Sequence, residues 1–138
     1  MRLLIAIISA LYAVSALSEC DDWTGDPEIQ YQKASAVYQL EVTSTENADE
    51  NSRADSRAEY ELIKIFKGAP PAVTELTYNF WAESIRLTVG EEYVVFLRDN
   101  SFVSICWGSS HLPGGTELRD ANKARIIASL EEISRRND

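Results

Sequence analysis

The chain is poor in the side chains that carry out chemistry. It holds one histidine, two cysteines and one methionine among 138 residues. His111 with Cys20 and Cys106 does not furnish a typical zinc ligand set. Nucleophilic catalysis has little to work with. Ser109 and Ser110 directly precede His111, and neighbours in sequence rarely orient as nucleophile and base. The expectation is a protein that is not an enzyme and uses no metal or cofactor. Positive charge is also scarce: 13 Lys and Arg stand against 22 Asp and Glu, a net charge of −9. Affinity for phosphate backbones comes mainly from Lys and Arg, so nucleic acid is excluded as a partner and an anionic membrane surface is disfavoured. No apolar run reaches the roughly 20 residues needed to span a bilayer. Internal repeats are absent.

The first stretch that is present reads as an export signal, residues 1–18. Arg2 supplies the positive start, and Leu3 to Val14 is an apolar run of signal length. Ala16-Leu17-Ser18 puts small residues at positions −3 and −1 of a cleavage site. Cleavage would leave a single domain, 19–138, beginning at Glu19, with no stable membrane insertion. The expected location is periplasmic or secreted. Such compartments permit disulfides. The two cysteines then form one bridge, Cys20–Cys106, or remain two free thiols, and the bridge is the simpler reading. A bridge closing so long a loop stabilises by roughly 4–5 kcal/mol in the chain-entropy model.

Along the rest of the chain, Asp26-Pro27 opens a short helix to about Lys33 or Ala34, because Asp caps well and Pro suits the first helical position. Ala36 to Thr43 alternates, with Tyr38, Leu40 and Val42 on one face, and predicts a strand. Ser44 to Arg57 has no apolar residue larger than Ala and predicts a solvated loop. Glu59 to Phe66 predicts a second strand, ended by Lys67-Gly68-Ala69-Pro70-Pro71. Val73 to Phe80 predicts a third, and Trp81 to Leu87 fits either an extension of it or a helical turn. Val89 to Gly108 predicts a hairpin: a strand over Glu92–Leu97, a turn at Arg98-Asp99-Asn100-Ser101, and a strand over Phe102–Trp107. His111 to Gly115 predicts a loop. A last helix is expected from an Asp120 cap to Arg135, with Ala121, Ala124, Ile126, Ile127, Leu130 and Ile133 as its apolar stripe. Five short strands with hairpin connections and two helices predict a mainly β, OB-fold-like barrel.

Two further features bear on binding. Asn47, Asp49, Asn51, Arg53 and Asp55 alternate like an EF-hand loop, but Ser52 stands where Gly is needed and Ala58 where Glu is needed, so a flexible polar loop is the better reading. Trp23, Tyr78, Phe80, Trp81 and Trp107 are expected mostly in the core, and any exposed together would mark a binding surface.

With these pieces in order, the chain resembles the tissue-inhibitor-of-metalloproteinases-like proteins, which share the netrin-module OB-fold, and most closely their bacterial exported members. The resemblance rests on Cys20 just after the signal, on Ala34 to Val42 as the first strand, and on Ile63-Lys64-Ile65-Phe66-Lys67-Gly68 as the end of the second. Val89 to Phe96 and the late Cys106 complete it. It implies a five-stranded barrel with its N-terminal segment tied down by the disulfide. In the animal inhibitors the first cysteine chelates the protease zinc through a free α-amine and carbonyl. Here Asp22 replaces the second cysteine of that motif, and Glu19 would precede Cys20. The expected function is therefore an exported, non-enzymatic binding module for a protein or envelope component. A metalloprotease inhibitor acting through its N-terminal segment is the alternative. Cys20, Asp21, Asp22 and Trp23 are the candidate partner-binding residues.

Overall fold

The computed structural model describes residues 20, 25–51, 54–81 and 83–138. The predicted signal, residues 1–18, and the predicted partner-binding residues Asp21, Asp22 and Trp23 lie outside the described residues. Helix α1 is Pro27–Lys33, capped by Asp26, whose carboxylate accepts from Glu28 N. Five strands follow: β1 Ala36–Glu46, β2 Ser56–Lys67, β3 Glu75–Tyr78, β4 Glu92–Leu97 and β5 Ser110–His111. A 3-10 turn, Ile105–Trp107, precedes β5, and helix α2, Glu117–Asn137, ends the chain. The strands form one antiparallel sheet in the order β3-β2-β1-β4-β5. Three register shifts in the β1–β2 ribbon add local twist, and the sheet curls into a half-barrel.

The alternation in β1 sorts its side chains onto two sides. Ala36, Tyr38, Leu40 and Val42 point into the half-barrel, where they pack with Ala58, Tyr60, Leu76, Tyr78, Tyr93, Val95 and Val103. Val37 points outward and packs with Val94 and Phe96 of β4, Phe66 of β2, Tyr31 of α1, and Leu130 and Ile133 of α2. The β4 run Tyr-Val-Val-Phe-Leu is continuous because this central strand is buried on both faces. Gly68 ends β2 with φ +88°, and a Cβ there would meet Ser35 O at 2.9 Å. That contact leaves no room for a side chain where β2 reaches the start of β1.

Several expectations need correction. The second strand of the predicted hairpin, Phe102–Trp107, does not form. Ser104 Oγ accepts from Cys106 N at 3.1 Å and caps the 3-10 turn. The backbone before that turn crosses to β3: Thr77 N donates to Ser101 O at 2.8 Å, and Val103 N to Thr77 O at 2.9 Å. The place beside β4 is taken instead by Ser110–His111, opposite Val94 and Tyr93, where a loop was expected. The polar loop after β1 is shorter than expected, because Ser44, Thr45 and Glu46 pair with Glu59, Ala58 and Arg57. On β1 the pairing continues past Val42, its last buried side chain, and the buried residues opposite are only Ala58 and Ser56, so apolar periodicity does not register it. Strand β3 is confined to Glu75–Tyr78, and Val73 is exposed. Helix α2 begins one turn early. Thr116 Oγ1 caps it by accepting from Arg119 N, while Asp120 Oδ1 accepts from Gly115 N. Ala121 and Ala124 are exposed, so the buried stripe is carried by Leu130 and Ile133, with Ile126 and Ile127 partly covered. Residues 83–87 form neither helix nor strand among the described residues, apart from a bridge between Ser84 and Ser104.

Candidate functional site

The candidate site is the end of the half-barrel that carries Cys106. Cys106 is buried and bonded to Cys20, with their Cα atoms 5.2 Å apart, so the predicted bridge is present. Its 3-10 turn is held from below by the 81–87 connection. Ile105 N donates to Glu83 O at 3.0 Å, Ser104 Oγ to the same carbonyl at 2.9 Å, and Ser84 Oγ to Val103 O at 3.2 Å. Gly108 closes the turn at φ +98°, and a Cβ there would press on Gln30 and Phe96 at 3.3 and 3.4 Å. These contacts fix the turn between the two hydrophobic clusters.

Aromatic rings and two arginines surround it. Trp107 is partly buried, edge-on to Phe102 at 6.1 Å, with the Arg98 guanidinium 5.2 Å from its ring centre. Arg98 also donates to Gln30 Oε1 at 3.0 Å, which ties the turn to α1. On the other side, Phe80 lies edge-on to Tyr78 at 6.2 Å and carries Arg86 5.3 Å above its ring. Tyr78 is fully buried, as expected of a core aromatic. Trp81 is not: it is 48% exposed, and Ile105 is 41% exposed. Trp81 N donates to Asn79 Oδ1, and Ser84 N donates to Trp81 O, so the backbone around the exposed indole is anchored. Composition placed Trp81 in the core. Phe80 and Trp81 stand side by side in a mixed stretch, Phe-Trp-Ala-Glu-Ser-Ile-Arg-Leu, so no local pattern tells which of the two rings is exposed.

His111 lies on β5, away from this end. Its Nε2 is 2.7 Å from Glu91 Oε2, and its ring lies tilted against that of Tyr93, with centroids 5.1 Å apart. Ser109 Oγ is buried and accepts from Phe96 N at 2.9 Å. This serine braces β4. Nearby, burial pushes the Glu92 carboxyl up, but hydrogen bonds from Lys123 and Gln39, with the Lys123 charge, outweigh that and hold it below its ordinary value. The polar loop resembling a calcium site spends its oxygens on protein donors. Asn47 Oδ1 accepts from Tyr78 OH, and Asp49 Oδ1 from Asn51 N. Among the described residues, no group of His, Cys, Asp and Glu is arranged to hold a metal ion. No helix among them is long and apolar enough to cross a membrane.

Comparison of the chain with protein-family models and with curated proteins finds no match.

Proposed function

We propose that the protein is an exported, non-enzymatic binding module for a protein or envelope component, similar to the tissue-inhibitor-of-metalloproteinases-like proteins that its sequence resembles. One observation carries this reading. Trp81 and Ile105 face solvent at the barrel end where the disulfide fastens the N-terminal segment. Large apolar groups exposed together favour contact with a partner, and tryptophan is over-represented among residues that dominate binding energy. Asp21, Asp22 and Trp23, the residues expected to bind a partner, follow Cys20 directly in the sequence. The test immobilises the wild type beside Ile105→Asp, Trp81→Ser and a control, Glu61→Gln, and measures saturable capture from envelope extract. The expected result is a partner held by wild type and control and at least about tenfold more weakly by the other two. A partner held equally by all four, or no saturable partner, overturns the reading.

The same disulfide favours a second reading, inhibition of a metalloprotease by the N-terminal segment, because it holds Cys20 at this end. N-terminal sequencing separates the two. A mature chain starting at Glu19 has no free Cys20 amine for zinc, whereas a start at Cys20 together with inhibition of a zinc protease supports the inhibitor.

A further inference from the structure

We draw no further inference here: the strongest candidate, the apolar groove of about 220 Å³ bounded by Pro27 of α1, Val94 and Phe96 of β4, and Ile126 and Leu130 of α2, carries nothing because nothing in the structure shows what covers it.

Discussion

The two faces of the central β1–β4 pair are packed by different chemistry. The inner face holds four tyrosines, Tyr38, Tyr60, Tyr78 and Tyr93, among Leu and Val. The outer face is mainly aliphatic and phenylalanine, covered by two helices. The inner phenols reach out of the half-barrel to its loops. Tyr38 OH donates to Ala69 O, Tyr78 OH to Asn47 Oδ1, and Tyr93 OH accepts from Thr88 N. On the outer face the polar links run from helices to strand. Tyr31 OH and Ser134 Oγ both donate to Phe66 O, and Lys67 Nζ donates to Tyr31 O and Gln32 O at the end of α1. The inner core therefore sets where the loops lie, and the outer core sets where the helices lie. The Cys106 turn lies between them, with Val103 before it in the inner core and Trp107 at its end packed against the outer one.

Mutations can break or sharpen this contrast. The largest expected effect comes from removing the bridge that joins them. Cys20→Ser with Cys106→Ser should lower stability by about 4 kcal/mol in urea unfolding. If the two faces form one unit, tyrosine near-UV dichroism and Trp107 fluorescence should still be lost in a single transition. Two separated transitions would show that the faces unfold independently. Next, Leu40→Ala on the inner face should cost about 3–4 kcal/mol, and Leu130→Ala under α2 about 2 kcal/mol, because a helix can settle onto the smaller side chain while the curled sheet cannot. Equal losses by urea titration would remove the distinction.

A third contrast lies in alkaline pH. Burial, with Tyr38 beside it, pushes the Tyr60 hydroxyl up to about 12, and burial also raises Tyr38 and Tyr78. A phenol raised in the folded state contributes stability that is fully present below its unfolded value of 10.0 and is lost as pH rises towards about 12. Stability should thus fall between these pH values, and Tyr60→Phe should make the fall shallower. An unchanged slope in Tyr60→Phe would assign it elsewhere. The smallest effect is expected on the outer rim. Lys123→Ala should cost less than about 1 kcal/mol at neutral pH, because its 2.7 Å pair with Glu92 is partly exposed. The lowered Glu92 contributes stability that is lost as pH falls through its folded value, so the difference between Lys123→Ala and wild type should narrow in acid.

Much of this architecture is legible in the residues. Strand β4, helix α1 with its Asp26 cap and the inward face of β1 each follow from a local signal that no tertiary contact overrides, and the Cys20–Cys106 bridge follows from there being two cysteines. Phe102 to Trp107 shows where such signals fail. Its residues favour strands, but Ser104 caps a turn and the preceding backbone pairs with Thr77 and Ser84. Those partners are far away in sequence, so no window on the segment contains them. Ser110 and His111 have the opposite history: weak strand formers, they are drawn into the sheet by a vacant edge of β4. The candidate site was half legible. The cysteine pair was readable as a bridge, whereas the exposure of Trp81 and Ile105 depends on contacts between Glu83, Ser84 and the 3-10 turn that lie about 20 residues apart in sequence.

The position of β1 also sets an order of events in time. Its partner on one side, β2, follows within a short loop, whereas on the other side Ala36 pairs with Leu97 and Glu41 with Glu92. Closing the longer loop costs more chain entropy before any contact repays it. The β1–β2 ribbon is thus expected to assemble early and to wait for β4. Cys106 comes later still in the chain, 86 residues beyond Cys20. Oxidation of the pair should follow the docking of β4, so that a trapped, reduced chain already contains the ribbon. Pulsed alkylation during refolding would record that sequence as thiol protection appearing after amide protection in β1 and β2.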